Sequence, residues 1–340
     1  MTSYDLHHAA RIGMLASVPA DLLSPAYLTR RNASGTTPLH AIARHGGLEI
    51  LPRSVLTAEN LTLRNDAGYT PLHHAAESGQ LRKLPAELVT EPFLSLASNS
   101  GYTVYHVAAA HGHLDQVPSA LLTPTIVTSK THLGNTLLHE ATENGTLDLF
   151  PKRFVTLHNF LQRNFGGETV FHVAAFNGHL ARIPSALLSK DAFLLKTLSD
   201  ETVIHVAAIS GHLDQVPSTL LTKEHLTLRC KAGFTIIHAA ARTGSLSKIP
   251  ANQLTTELLL MRDDNGDSPL HLAAQNGYLG QVPASLLNEE TLNVPNHVGV
   301  SVRRLAVSHG YGHQLPAEFR PKSRNVLGHF FGRLGSIWLL

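Results

Sequence analysis

Histidine is the residue type with the most chemistry to offer in this chain. Among 340 residues there are 23 histidines, and nine of them (His7, His40, His73, His106, His139, His172, His205, His238 and His271) recur every 33 residues. Imidazole is the commonest metal ligand and titrates close to neutral pH, so a fixed array of it raises metal binding and proton transfer. The interval argues against the first. Helices stacked one repeat apart sit roughly 8–10 Å from each other, whereas zinc–nitrogen bonds are about 2.0–2.1 Å, so successive histidines cannot easily share a metal. His111/His113 and His309/His313 are local pairs with no nearby carboxylate or thiol to complete a site. His139-Glu140-Ala-Thr-Glu143 opens like a zinc-protease helix but ends in Glu instead of His, and both glutamates are expected to face solvent. A nucleophile, base and acid would require one repeat to differ from its neighbours in that respect, and none does. Walker-type and dinucleotide glycine patterns are absent from the sequence. The expectation is a chain without catalytic, metal or cofactor sites, and not an enzyme.

The elements that carry these histidines follow one frame. Proline stands at 19, 52, 85, 118, 151, 184, 217, 250, 283 and 316, always with glycine six residues earlier and, except at Arg304, histidine twelve residues earlier. Ten copies without an insertion mean one small unit stacked on itself. In residues 68–100, Thr70 is an N-cap and Pro71 suits the first helical position. Leu72, Ala75 and Ala76 follow at helical spacing as a narrow apolar face, and Gly79 ends the helix.

These residues carry a resemblance. Gly-x-Thr-Pro-Leu-His-x-Ala-Ala-x-x-Gly-x-Leu with a 33-residue period resembles the ankyrin repeat, nearly complete at 35–48, 68–81 and 266–279. It is good at Gly101, Gly134, Gly167, Asp200 and Gly233, where Val, Leu or Ile replaces the proline. The resemblance implies an all-α, ankyrin-like α-solenoid of stacked helical repeats with short connecting turns or hairpins. It also implies that the motif histidine hydrogen-bonds backbone in the turns between repeats. Division along the frame gives an N-terminal capping repeat at 1–34 and eight repeats at 35–67, 68–100, 101–133, 134–166, 167–199, 200–232, 233–265 and 266–298. A degenerate C-terminal cap at 299–321 and a tail at 322–340 complete it.

The second half of each repeat departs from the family. Leu114-Asp-Gln-Val-Pro118 and its equivalents place a proline where a second helix would run. An interior proline costs about 3 kcal/mol, so the expectation is a tight turn at Leu-x-x-Val, then a short helix with Pro at its first position. Ser24, Thr57, Thr90, Thr123 and their equivalents, five residues on, start a second short helix. The following Leu-x-Leu (Leu61-Thr-Leu63, Leu226-Thr-Leu228) alternates like a short extended piece.

The charged fraction is 15% and the net charge +2, which gives no general case for nucleic acid. Residues 299–340 hold six basic residues against Glu318, a local +5 that leaves −3 for the rest. Cys230 is the only cysteine, so an internal disulfide is impossible. The amino terminus has no basic, apolar signal pattern and no stretch is long enough to span a bilayer. A cytoplasmic protein is expected, with a secreted effector as the other reading.

The function the resemblance implies is a monomeric scaffold that binds another protein through its concave face and turn tips. The residue after each frame glycine is assigned to the tip, which selects Tyr69, Tyr102 and Phe234. Exposed positions on the first helices select Phe176, Ile209 and Arg242, since aromatics and arginine anchor interfaces. The alternative is a membrane-associated adaptor using the basic, apolar tail, with Arg320, Lys322, Arg324 and Trp338 in contact.

Overall fold

The computed structural model describes residues 5–321, and Lys322, Arg324 and Trp338 of the tail lie outside the described residues. The chain divides into two compact units at Val216/Pro217. In the first, the long helices are α1 Leu6–Arg11, α2 Pro38–His45, α3 Pro71–Glu77, α4 Val104–Ala110, α5 Leu137–Glu143, α6 Val170–Asn177 and α7 Val203–Ile209. In the second they are α8 Ile236–Thr243, α9 Pro269–Asn276 and α10 Val302–Ser308. Within each unit every long helix packs on the next, as an all-α ankyrin-like solenoid requires. The close approach follows from side-chain size: Leu72, Ala75 and Ala76 of α3, and their counterparts Ala108 and Ala174, are fully buried.

From α2 on, each long helix begins at a Thr or Ser cap (Asp5 caps α1) and is followed by a glycine with positive φ; Gly178 closes α6 at φ 71°. The chain then makes a 3₁₀ turn at Leu-x-x, such as Leu114–Gln116, and a second 3₁₀ turn at Ser119–Leu121. A four-residue helix, Pro124–Val127, follows its Thr123 cap. The glutamine of Leu-Asp-Gln-Val-Pro explains itself here. Gln116 donates to the Gly79 carbonyl at 2.7 Å and accepts from the Arg82 N–H at 3.4 Å, so it ties one repeat to the previous one. Gln215 and Gln314 donate likewise to Gly178 and Gly277.

Two expectations need correction. The proline is not the first residue of a helix: Pro118 sits outside the 3₁₀ turn with φ −52° and ψ 127°, and only its carbonyl takes part, accepting from the Leu121 N–H. Val117 is extended as well, because the proline ring disfavours the helical region for the residue before it. Leu-x-Leu is not an extended pair either. Leu61 and Leu226 close the short helices, and pairing is confined to isolated bridges such as Arg163 with Thr169 and Arg229 with Thr235.

Between repeats the chain folds into five-residue turns, of which Asn65–Tyr69 is typical. The Asn65 N–H donates to the Tyr69 carbonyl, and the Asn65 Oδ1 accepts from the N–H groups of Ala67 and Tyr69. This is an Asx turn, repeated with Asn32, Asn164, Asp263 and Asn296. The glycines at the fourth turn position (Gly35, Gly68, Gly101, Gly134, Gly167, Gly233, Gly266 and Gly299) have φ of 67° to 83°, and Asp200, at the same place, is the one non-glycine with positive φ (62°) among the described residues. Neighbouring turns of the first unit are joined by backbone hydrogen bonds, from Asp66 to Ser34, Asn99 to Ala67, His132 to Ser100 and Phe165 to Leu133. Cations reinforce them: Arg31 donates to the Arg64 carbonyl and Arg64 to the Ala97 carbonyl, each at 2.8 Å.

Candidate interaction surface

The motif histidines resolve first, because their chemistry is fully occupied. Each is 0–1% exposed from His40 to His271. The capping hydroxyl of Thr37, Thr70, Thr103, Thr136, Thr169, Thr202, Thr235 or Ser268 lies 2.6–2.9 Å from the Nδ1 of its own histidine. In repeat after repeat the backbone N–H of the same cap also donates to that nitrogen, as Thr70 does to His73 at 3.1 Å. A ring nitrogen that accepts from an N–H carries no proton, so the hydrogen sits on Nε2. Nε2 donates onward to a carbonyl of the next turn: His40 to Tyr69, His73 to Tyr102, His106 to Ser129 and His139 to Glu168, at 3.0–3.3 Å. Burial pushes His40, His73, His106, His139 and His172 down to about 4. These are structural, neutral imidazoles. Among the described residues, no group of three or more His, Cys, Asp or Glu side chains could hold a metal ion.

The surface available to a partner in the first unit lies between the turns and the long helices. One groove, about 490 Å³, runs across α2 to α5 with Tyr69 and Tyr102 on its turn side. Both tyrosines are half-buried, not projecting. Tyr69 packs edge-on to His73 (5.2 Å between centroids) and near-parallel to His74 (6.0 Å). Glu77 is held by Arg44 at 2.9 Å and by His74 at 2.8 Å.

Glu140 corrects another expectation. It does not face solvent: it is 2% exposed, and its carboxyl accepts from Asn135 Nδ2 at 3.0 Å. Glu143, on the last turn of α5, is exposed. The reason is position. The residue directly after the motif histidine is Val107 in α4, Val173 in α6, Val206 in α7 and Leu272 in α9, all buried on the inner side of their helices. Glu140 occupies that position in α5. Burial raises its carboxyl to about 7, against the Asn135 hydrogen bond, which lowers it.

A second groove, about 550 Å³, adjoins the first through the shared residue Glu143, and Asn135 of its lining bonds Glu140 of the first. Leu133, Phe165 and Phe176 line it. Leu133 and Phe165 are 65% exposed, Leu198 64% and Phe176 58%. Leu133, Phe165 and Leu198 occupy successive turn tips, with Phe165 bonded through its backbone to Leu133 and Leu198 to Gly166. The tips are thus the one or two residues before Gly134, Gly167 and Asp200, whereas the residue after that place is half-buried or buried. Sequence reasoning missed Leu133, Phe165 and Leu198 for that reason. The signal was present, since the same tip positions hold Asp66, Asn99 and Ser100 in earlier repeats.

The remaining selected residues divide between the units. Ile209 ends α7 in the first unit and is half-buried. In the second unit Phe234 is half-buried, with the Arg242 guanidinium 5.0 Å from its ring centroid, a cation–π contact. Arg320 is exposed, and its Nε donates to the Leu315 carbonyl at 2.9 Å. No helix among the described residues is long and apolar enough to cross a membrane.

This geometry, a capped helix held to the next turn by a buried histidine, is that of a stacked-repeat interaction module. A family model described as ankyrin repeats in three copies matches residues 6–86, 171–251 and 204–296, more than half of the chain, and the chain belongs to that family. Such repeats generally mediate protein–protein interaction and are typically non-enzymatic. The comparison with curated proteins returns no match.

Proposed function

We propose that the chain is a non-catalytic scaffold that holds a protein partner along the grooves of its first unit, with the turn tips as the main anchor. The observation that carries this reading is the row of apolar side chains at successive tips, Leu133, Phe165 and Leu198, beside Phe176. Apolar area of this kind in adjacent repeats is what a partner can desolvate. The repeat scaffold holds these groups on hydrogen-bonded turns, so little ordering accompanies binding. Tyr69 and Tyr102 contribute as walls of the adjoining groove, and Ile209 as a flank. Phe234 with Arg242 is a separate contact on the second unit.

The test is affinity capture and cross-linking with full-length chain, wild type against a Leu133→Ser, Phe165→Ser, Phe176→Ser variant. All three side chains are exposed, so each change is expected to alter stability by about 0.5 kcal/mol or less. Captured partner should fall at least tenfold while the melting temperature stays within a few degrees. Equal capture by a folded variant overturns the reading.

A further inference from the structure

Glu140 is a carboxyl at a place where the adjacent repeats carry none. Its counterparts in the neighbouring helices are Val107, Val173 and Val206, which fill the same buried position with hydrocarbon. A carboxyl there carries a desolvation cost that a valine would not. Val107 and His74, which hold this position in α4 and α3, line the same cavity, and Glu140 sets a carboxyl into it where Val107 sets hydrocarbon. The groove of about 490 Å³ is lined by Glu140 and Glu143 from α5, with Tyr69 and Tyr102 from two successive turns. Glu77, on the far side, is already paired with Arg44 and within hydrogen-bond reach of His74. Neither Glu140 nor Glu143 forms an ion pair among the described residues. Burial first, then both carboxylates and a hydrogen bond to Glu140, oppose ionisation of the Tyr102 hydroxyl. The cavity therefore combines two aromatic rings with two uncompensated carboxyls, an arrangement suited to an organic cation.

We propose that this cavity takes a basic side chain, the ammonium of lysine or the guanidinium of arginine, from the segment that binds the scaffold. The assignment rests on the scaffold reading for the origin of the cation, while the cavity itself can be tested without a partner. The basic group seats between the Tyr69 and Tyr102 rings and pairs with Glu140, with Glu143 at the mouth. Because the second groove shares Glu143 with this one, and its Asn135 bonds Glu140, the favoured ligand is a segment with a basic residue close to apolar ones. The groups facing Glu140 across the cavity are Glu143, Tyr102, Glu77, His74, His111 and Arg44. Burial holds Glu140 at about 7 in the empty cavity, so the cation binds with release of a proton near neutral pH.

The experiment uses full-length chain carrying ¹³C-labelled tyrosine rings, titrated with n-butylammonium, n-propylguanidinium and, as the uncharged control, n-butanol. Saturable shifts of the Tyr69 and Tyr102 resonances are expected with either cation, and the tighter of the two identifies lysine or arginine as the source. If only the ionised carboxyl binds, affinity rises about tenfold from pH 6 to pH 8. Glu140→Val, which restores the residue type of the neighbouring repeats, should fold and lose the binding. Glu140→Gln should weaken it and flatten its pH dependence. Equal shifts with n-butanol, no saturable shift with either cation, or unchanged binding in a folded Glu140→Val overturns the assignment. Cation binding that persists when partner capture fails, or the reverse, tells the two readings apart.

Discussion

One imidazole per repeat closes three bonds: it accepts from the cap's N–H and hydroxyl and donates to the following turn. A glutamate in the same capping role could receive the first two but would have no proton for the third. His106→Ala leaves the Thr103 cap and the Ser129 carbonyl without their partner in a fully buried setting. It should cost about 3 kcal/mol in chemical denaturation, from lost hydrogen bonds plus the cavity; a loss under about 1 kcal/mol would show that the bond is dispensable. The 33-residue interval argued only against a shared metal; the backbone-bonding role of this histidine was legible through the resemblance to the ankyrin repeat. Glu140 was not legible in the same way. Its outward placement was inferred from its charge, whereas the position after the motif histidine is an inner one in every neighbouring helix. Reading Val107, Val173 and Val206 in register with Glu140 would have revealed it.

At the level of elements, the long helix was readable from Thr-Pro, the paired alanines and the glycine. The second half was readable only in part. A proline reports its own φ, and −52° suits a helix start and an extended cap equally; the ψ that separates them is set by the 3₁₀ turns on either side. The turns held a clearer signal, since Asn, Asp, Ser or Thr stands at the first turn position in all but one. That one is Cys230, whose thiol is a weak acceptor where Asn65 receives two N–H groups. Cys230→Asn should therefore raise stability by about 0.5–1 kcal/mol, seen as an upward shift in thermal midpoint; a downward shift would mean the thiol is packed in a way an amide cannot replace.

For the whole molecule, the buried imidazoles set the response to acid. Free histidine titrates near 6.5, and five in the first unit are held at about 4. Above pH 6.5 both folded and unfolded chains leave them neutral and stability is complete. From 6.5 down to 4 the unfolded chain binds protons that the folded chain refuses, so stability falls. Glu140 acts in the opposite sense between 7 and 4.5, where the folded chain keeps a proton that the unfolded one loses, but it is one group against five. In the second unit His238 and His271 are also lowered. Hydrogen exchange at pH 5 and pH 7.5, corrected for intrinsic rates, should show protection lost more in residues 5–216 than in 217–321; equal loss would contradict this account. The onward donation of the histidines also gives the first unit a polarity. His40, His73 and His139 lend a proton to the following repeat, as monomers do in a head-to-tail polymer, whereas His106 and His172 give theirs to a carbonyl near the end of their own. Arg304 stands exposed at the equivalent place, so a further unit grafted after it would receive no such proton until Arg304→His supplied the imidazole.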